Sequence, residues 1–272
     1  MNAASNKLVN RDEITDVTVS AFADSSQIPE KYIRTDEVLG GFVVSDNETH
    51  ELPVVDMASL LDPELSKLET VKLGSACRHW GFFQLTNHGI DEAVIQHMKE
   101  NTAQFFSLPL DSKKTVAVRG DGFEGYGHHY TRSSATGGDK LDWAESVIFV
   151  TQPVQDRNMP LWPANPPTFR NALETYSVEI TNALVVNVGD ILHIITNGTY
   201  KSVEHRVLVD AQRARTTAEI FQDASVDGMV TPLPELLKGG QARYKSIERF
   251  QYLKVRFSAL AKGAGFLDSF RA

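Results

Sequence analysis

Histidine is the side chain in this sequence best suited to holding a metal ion. The chain has eight histidines: the adjacent pair His128-His129 lies in a glycine-rich stretch, and His193 and His205 lie in the C-terminal half. Imidazole is a good ligand for transition metals, so the histidines are the first residues to consider for a metal site. The single cysteine, Cys77, excludes an intramolecular disulfide and a zinc site of several thiolates. The chain also lacks the Gly-x-Ser-x-Gly motif of a serine hydrolase.

The elements that would position these side chains begin with alternating strands and helices. Residues 52–56 and 82–86 are short apolar runs that predict strands. Apolar residues at helical spacing predict a helix that starts at Asp62-Pro63 and ends at Gly81, and a second helix that starts at Asp91. We expect the first helix to pack on the sheet through one apolar face, formed by Leu65, Leu68, Leu73, Cys77 and Trp80.

The middle of the chain is rich in glycine and proline. Residues 119–140 hold six glycines and predict a long loop, and loops of that length are often functional. Residues 141–150 predict a strand, and residues 153–167, with five prolines, predict an extended surface segment. Apolar spacing over residues 169–180 predicts a further helix.

The C-terminal half changes character and predicts mostly antiparallel strands. Asn197-Gly198 is a hairpin-turn signal, and apolar runs predict strands over 183–188, 191–196, 200–209 and 216–221. The last 35 residues carry apolar positions at helical spacing and predict a helix. A succession of antiparallel strands is typical of a β-sandwich or jelly roll.

Composition places the chain among ordinary globular proteins and argues against two classes of partner. Its 272 residues, of which 42% are hydrophobic and 23% charged, suffice for a large core in one domain or two. The net charge of −8 disfavours binding to nucleic acid or to an anionic membrane. No apolar signal region and no run of about 20 apolar residues occurs, so we expect a cytoplasmic protein.

Several segments together resemble the plant 2-oxoglutarate/Fe(II)-dependent dioxygenases, also called iron/ascorbate-dependent oxidoreductases. In the N-terminal half the similarity lies in Leu52–Asp56, Trp80–Gly89, Phe105–Pro109, Glu124–Gly127, Leu141–Trp143 and Trp162–Tyr176. In the C-terminal half it lies in Leu184–Asp190, Asn197–Val207 and Arg215–Thr217. The similarity extends over nearly all of the chain after about residue 27.

The resemblance implies an α+β fold, in which an N-terminal helix and strand region packs on a C-terminal double-stranded β-helix (jelly roll) that is incomplete. It divides the chain into an N-terminal arm (residues 1–50), a dioxygenase N-terminal region (51–180) and a truncated jelly-roll core with a C-terminal helix (181–272). The family uses Fe(II), 2-oxoglutarate and ascorbate to hydroxylate or demethylate a small metabolite. The implied substrate range includes hormones, flavonoids, alkaloids and indoleamines.

The resemblance also implies three site residues. In the family, two histidines and a carboxylate hold the iron, and an arginine binds the distal carboxylate of 2-oxoglutarate. By similarity His205 is the second histidine ligand, Arg215 is the 2-oxoglutarate-binding arginine, and Thr217 stands where the family has serine. The first histidine and the acid form a His-x-Asp pair in the family, but no histidine here is followed two positions later by Asp or Glu. A block that carries two of the three ligands is therefore missing near residues 180–183.

These observations leave alternatives open. The chain is an impaired oxidoreductase unless His193, Asp190 or His128-His129 replace the missing ligands. Alternatively, it is a non-catalytic variant that binds 2-oxoglutarate or a partner only; a small-metabolite carrier is a third hypothesis that no residue selects. Loss of core strands would expose the edge at 183–188, so we expect an unstable or aggregation-prone chain, or pairing with a partner through that edge.

Overall fold

The computed structural model describes residues 28–33, 51–120, 122–127, 129, 131–133, 139–179, 185–205, 207, 214–222, 228–260 and 266–272. Contacts divide these residues into two units. Unit 1 takes the described residues within 28–33, 92–179 and 214–218, and unit 2 takes those within 51–91, 185–207 and 219–272. The domain boundaries at residues 50 and 180 follow the family segments and stay a prediction.

Short strands and helices alternate through the described part of the chain, in keeping with the predicted α+β class. The strands are β1 (Val54–Asp56), β2 (Phe82–Thr86), β3 (Gly125–Gly127), β4 (Thr131–Ser133), β5 (Asp139–Leu141), β6 (Ser146–Ile148), β7 (Val185–Asn187), β8 (Met229–Val230) and β9 (Ile247–Glu248). The α-helices are α1 (Met57–Leu61), α2 (Ser66–His79), α3 (Glu92–Phe106), α4 (Leu110–Lys114), α5 (Phe169–Glu179), α6 (Asp190–Ile195) and α7 (Arg249–Leu260). Within the described ranges, none of the helices is both long and apolar enough to cross a lipid bilayer.

A three-stranded sheet in the order β1-β2-β7 organises unit 2. Strand β2 is parallel to β1, with Leu85 opposite Val55, and antiparallel to β7, with Phe83 opposite Val186. The buried side chains of the sheet and of α2 form one core, made of Val55, Ala76, Cys77, Phe83, Leu85 and Val188. Burial raises the pKa of the Cys77 thiol, which makes it an inert packing residue.

Helix α2 starts later than predicted and buries a different face. The Asp62 carboxylate accepts hydrogen bonds from two backbone N–H groups in a turn, and the helix begins at Ser66. The inner face carries the Glu69 carboxylate, which accepts the Asp56 N–H at 2.7 Å, beside Leu73, Ala76 and Cys77. This polar group occupies an inner position that a purely apolar pattern does not predict. As a result, three residues predicted to be buried are 52%, 74% and 38% exposed, namely Leu65, Leu68 and Trp80.

The C-terminal part of unit 2 contains a helix where a strand was predicted over residues 191–196. Helix α6 instead buries Ile194 completely, within a second core that includes Val230, Tyr244, Tyr252 and Phe270. A short apolar run fits either a strand or a helix, and its sequence alone does not decide between them. Asn197 and Gly198 have φ values of 53° and 76°, and this left-handed turn ends the helix instead of closing a hairpin.

The strands predicted over 200–209 and 216–221 are also not formed in the described residues of those ranges. After residue 180, the described part of the chain has β7 and the antiparallel pair β8–β9 as its strands. Among the described residues, β7 joins the sheet β1-β2-β7 and β8 pairs with β9 alone. A strand requires neighbours that satisfy its backbone hydrogen bonds, and local apolar patterning does not reveal whether they are present. The helix predicted over the last 35 residues is confirmed in part, as α7, whereas Ile247, predicted to belong to it, lies in β9.

Unit 1 is built on α3 and α5, whose residues Phe105 and Phe169 bring their ring centroids to 5.4 Å. Strand β3 pairs with β6 and β4 pairs with β5, both antiparallel, so the stretch 119–140 is not the continuous loop that its glycines predict. The proline-rich segment 153–167 is not purely a surface segment either, because Leu161 and Trp162 are buried. Proline restricts the backbone there, but the apolar side chains between the prolines still enter the core.

Gly81 joins the two chain segments of unit 2 by a close backbone approach. Its φ is 70°, and a Cβ atom at this position would lie 2.4 Å from the Lys201 carbonyl oxygen. The Gly81 carbonyl accepts the Val188 N–H at 2.8 Å, and the Cys77 carbonyl accepts the Lys201 N–H at 3.0 Å. Only glycine combines the left-handed backbone with this approach, so residue 81 determines where the segment after Lys201 lies.

His193 holds the C-terminal part of unit 2 through both of its ring nitrogens. The Ser202 N–H lies 3.2 Å from Nδ1 and can only donate, so Nδ1 accepts and Nε2 carries the proton. Nε2 lies 2.7 Å from the Tyr244 hydroxyl, to which it donates. Burial is the main cause that lowers the pKa of His193, against smaller opposing effects of a backbone hydrogen bond at Tyr200 and of the Asp190 charge. The neutral imidazole is therefore part of the folded structure.

Substitution of Gly81 by alanine should destabilise the fold more than the same substitution at Gly89. Gly89 has a similar φ of 75°, but nothing lies within 4 Å of a Cβ atom there, so Gly89→Ala measures the backbone strain alone. We expect Gly89→Ala to cost about 1–2 kcal/mol, and Gly81→Ala roughly 2 kcal/mol more because the Lys201 carbonyl must move. Equal losses in the free energy of unfolding, measured by urea denaturation, would contradict the close approach.

Acidification should weaken the fold through His193. The folded state holds the pKa of His193 below the unfolded value of about 6.5, so the unfolded state binds more protons between the two values. The contribution of the neutral His193 side chain to the stability of the fold is complete above that unfolded pKa and is lost as the pH falls below it. The melting temperature should therefore fall more between about pH 7.5 and 5.5 in the parent protein than in His193→Gln. If the melting temperatures of both proteins fall by the same amount, a group other than His193 causes the loss of stability.

Candidate functional site

His205 is exposed and follows the segment that packs on Gly81 in unit 2. The Val203 carbonyl oxygen lies 2.9 Å from its Nδ1 and can only accept, so Nδ1 carries the proton. The ring stands edge-on to Phe82, with the two ring centroids 4.9 Å apart. Nε2 keeps its lone pair and is the nitrogen able to bind a metal ion. Histidine ligands of metals commonly have their tautomer fixed by a carbonyl in this way.

Arg215 and Thr217 belong to unit 1, whereas His205 belongs to unit 2. Both side chains are exposed, in a described stretch that has neither helix nor strand. The stretch is tied to α5 by one hydrogen bond, from the Tyr176 hydroxyl to the Ala218 carbonyl at 3.4 Å. The three predicted site residues are thus divided between the two units, and their roles toward metal and 2-oxoglutarate stay predictions.

The proposed substitute ligands in unit 2 are engaged elsewhere. Both nitrogens of His193 are used by Ser202 and Tyr244. The Asp190 carboxylate accepts the Ser202 hydroxyl at 2.6 Å and bonds to the Arg256 guanidinium through its other oxygen. Neither side chain is therefore available to complete a metal site around His205.

The structure does not support a metal-ligand role for His129, the described member of the histidine pair in the glycine-rich stretch. His129 is buried in unit 1, where its Nδ1 lies 2.7 Å from the Ser146 hydroxyl. His128 lies outside the described residues. Elsewhere, the Nδ1 atom of His88 accepts the Ile90 N–H at 3.2 Å, as expected of a turn residue. Most of these histidines serve local structure.

The donors in the described part of the chain do not fit the iron site of the family. That site needs two imidazoles and a carboxylate that converge on one ion. Among the described residues, no three His, Cys, Asp or Glu side chains come together in a group that could hold a metal ion. His205 offers one nitrogen, and Fe(II) lies low in the affinity order of divalent metals, so one imidazole holds it weakly.

Unit 1 contains a cavity of about 190 Å³, lined by Arg119, Gly122, Phe123, Glu124, Asn158, Pro160 and Leu161. Burial raises the pKa of Glu124, whose carboxylate accepts the Val150 N–H at 2.7 Å. Sequence spacing does not reveal this cavity, because its walls come from separate loops. It is smaller than the roughly 300 Å³ at which ligand pockets usually begin. The neighbouring Tyr126 is fully buried, with its ring 6.0 Å from that of Phe105, and so lies in the core.

Unit 2 contains a second cavity, of about 290 Å³, lined by Asn197, Gly198, Thr199, Leu236, Gln241 and Arg243. The described residues that line it include neither a histidine nor a carboxylate. The Asn197 side chain that forms part of its wall is held at both ends, because its amide donates to the Gln241 carbonyl and its oxygen accepts the Arg243 N–H. These two hydrogen bonds therefore stabilise the turn that ends α6.

Two family models match the chain in succession. The model of the non-haem dioxygenase in morphine synthesis N-terminal region matches residues 52–165. The model of the 2OG-Fe(II) oxygenase superfamily matches residues 169–224. His205, Arg215 and Thr217 lie within the second match.

Known proteins from plants are similar over almost the whole chain. Codeine O-demethylase from Papaver somniferum is 30% identical, over 97% of this chain and 98% of the relative. S-norcoclaurine synthase 1 from Coptis japonica is 29% identical over 342 aligned positions, which cover 95% of this chain and 96% of the relative.

Solved structures share the fold. The structure of JOX2 in complex with 2OG, Fe and JA has a TM-score of 0.76 at 21% identity and covers 94% of this chain and 98% of that chain. The dioxygenase for auxin oxidation in rice has a TM-score of 0.62 at 18% identity and covers 82% of this chain and 100% of that chain. The fold is therefore that of the 2OG-Fe(II) oxygenases, a jelly-roll family.

The successive family matches and the 30% identity across 98% of codeine O-demethylase lead to the same conclusion. The chain belongs to the 2-oxoglutarate/Fe(II)-dependent dioxygenase family.

Proposed function

We propose that this chain derives from a dioxygenase of small plant metabolites and no longer carries out the iron-dependent oxidation. The proposal rests on the metal-binding side chains present in the sequence. No histidine is followed two positions later by an acid, and His205 is by similarity the one family ligand that is left. In the family, the metal with its three protein ligands leaves positions for 2-oxoglutarate and O₂. A single exposed imidazole cannot hold the metal firmly enough to offer those positions.

The lengths of the alignments support the loss of an internal block. The match to S-norcoclaurine synthase 1 spans 342 aligned positions, 70 more than the 272 residues of the chain. That match also reaches across 96% of the relative, so the unmatched positions lie inside it and not beyond its ends. A block missing near residues 180–183, with core strands and the His-x-Asp pair, accounts for them. It would also account for the short strands that the described residues form after residue 180.

The ancestral reaction we infer is hydroxylation or demethylation. The relatives named for O-demethylation include one that acts on codeine and one that acts at position 7 of a flavonoid. Both names refer to small molecules with aromatic rings, so an alkaloid, a flavonoid or a similar plant metabolite is the substrate class we propose for the ancestor. Iron would supply the oxidation in such an enzyme, and the protein would position the substrate and exclude water.

The alternative is that the chain keeps affinity for 2-oxoglutarate alone. Arg215 and Thr217 are exposed, so a carboxylate can reach both side chains. A guanidinium matches a carboxylate with two parallel hydrogen bonds, which gives this alternative its physical basis. A partner that pairs with β7, where Val185 is 59% exposed, remains a proposal, as does the cytoplasmic location.

Metal titration tests the loss of the iron site directly. We expect Mn(II), followed by its electron paramagnetic resonance signal, to bind the purified chain no more tightly than on the order of millimolar, as suits one imidazole. His205→Ala should change this weak binding little. A relative with the full ligand set provides the positive control. Stoichiometric binding at micromolar Mn(II) that disappears in His205→Ala would show that other residues complete the site.

Calorimetric titration with 2-oxoglutarate in the absence of metal separates the two alternatives. If the chain retains the carboxylate site alone, 2-oxoglutarate binds the parent protein, and Arg215→Ala removes the binding because the guanidinium is its main partner. Lys99→Ala, which removes an exposed positive charge from α3 of unit 1, serves as the matched control. Binding that survives in Arg215→Ala would rule out the family's arginine as the site.

A further inference from the structure

The cavity of about 290 Å³ in unit 2 is lined mostly by polar side chains. Those of Asn197, Thr199, Gln241 and Arg243 contribute to its walls, and Leu236 is its apolar member. Its volume lies at the lower limit of roughly 300 Å³ for ligand pockets, so a small molecule fits. Among the described residues that line it, Arg243 supplies a positive charge and none supplies a negative one. A cavity lined by one sign of charge attracts the opposite sign, which here is a small anion.

Hydrogen bonds to the buried Asn197 side chain hold the two walls of this cavity together. Its amide donates to the Gln241 carbonyl at 3.2 Å, and its oxygen accepts the Arg243 N–H at 2.7 Å. The segment 241–243 is therefore fixed against the turn that ends α6. Because the walls are formed before a ligand arrives, binding requires little ordering of the backbone.

The Arg243 guanidinium lies against Gly198 at this cavity. Its Nη1 atom is 3.1 Å from the position that a Cβ atom of Gly198 would take, so the glycine leaves room for the guanidinium. Within the described part of the chain, no carboxylate forms an ion pair with Arg243. A guanidinium presents its N–H donors in a planar fork that matches the oxygens of a carboxylate or a phosphate. Arg243 can therefore bind an oxyanion without first breaking an ion pair.

Thr199 and Gln241 add neutral donors to the same cavity. The described residues include no hydrogen-bond partner for the Thr199 hydroxyl or for the Gln241 side-chain amide, so both can donate to a ligand oxygen. The carbonyl end of a helix disfavours an anion. Here, however, each of the last four carbonyls of α6 accepts a backbone N–H. The donors at the cavity are therefore available, and the nearby carbonyl acceptors are already paired.

We propose that this cavity is an oxyanion-binding site, in which the Arg243 guanidinium, the Thr199 hydroxyl and the Gln241 amide hold a phosphate or carboxylate group of a small molecule. Leu236 lies beside the less polar part of that ligand. The site needs neither iron nor Arg215, so it does not depend on the proposed loss of the iron site. One charged donor group and two neutral ones give a dissociation constant on the order of a millimolar for an isolated anion.

Nuclear magnetic resonance of the ¹⁵N-labelled full chain measures affinities in this range and locates the ligand. Inorganic phosphate is titrated while sodium chloride holds the ionic strength constant, because exposed charges are sensitive to salt. We expect saturable shifts of the Gly198 and Thr199 amide signals. A parallel titration with malonate distinguishes the two sources of the anion. Saturation by either compound supports the site, and the tighter of the two identifies the preferred group.

Three variants test the residues of the site, and the same spectra show that each is folded. Arg243→Gln should weaken anion binding at least tenfold, because it removes the charged donor. Thr199→Val keeps the shape of the side chain and should weaken binding several-fold. The matched control is Arg78→Gln, which removes an exposed arginine from α2 of the same unit and should leave binding unchanged.

Three results would overturn the proposal. The first is a lack of saturation by phosphate and by malonate up to about 50 mM, well above the expected dissociation constant. The second is an equal loss of affinity in Arg78→Gln and Arg243→Gln, which would reduce the effect to the net charge of the chain. The third is unchanged affinity in Thr199→Val, which would place the anion on the exposed side of Arg243 and outside the cavity.

Discussion

The fold of unit 2 depends on the backbone contact between Gly81 and the segment that begins at Lys201. The contact leaves no room for a side chain at residue 81, and it is reinforced by backbone hydrogen bonds from Val188 to Gly81 and from Lys201 to Cys77. Together with the pairing of β2 and β7, these bonds join residues 51–91 to residues 185–205. The join places Phe82 edge-on to His205. The histidine that resembles a family ligand is thus held by the N-terminal half of the unit.

The contact between these two segments is not enough to build a metal site. A facial triad needs three donors whose backbone positions are fixed together, and local order around one of them does not supply the others. His205 has the tautomer of a metal ligand, with Nδ1 bound to a carbonyl, but His193 and Asp190 are consumed by hydrogen bonds that hold α6 and Ser202. The same residues cannot serve both purposes. Among the described residues, the local geometry expected of one ligand is therefore present without two further donors beside it.

The sequence predicted the elements whose signals are local and repeated. Helices α3 and α5 and strand β2 were predicted within one or two residues, because their apolar spacing or boundaries are clear. The apolar run in α6 was predicted to be a strand because five or six residues fit the periodicity of a strand and that of a helix equally well. Its packing on Val230 and Tyr244 favours the helix. On α2, Leu68 was predicted inward because hydrophobicity alone does not reveal that Glu69 has a buried hydrogen-bond partner. The absence of the His-x-Asp pair is evident from the sequence, whereas the hydrogen bonds that occupy both ring nitrogens of His193 depend on the folded structure.

We propose that the chain keeps part of the family's framework and has lost its iron chemistry. The most direct measurement is succinate formation from 2-oxoglutarate by the folded chain with Fe(II), ascorbate and O₂, beside His205→Ala and an intact relative. We expect succinate from the intact relative only, with the parent chain and His205→Ala both at the level of a protein-free control. Succinate formed by the parent chain and abolished in His205→Ala would contradict the loss of the iron site, because it would mean that His205 belongs to a complete metal site.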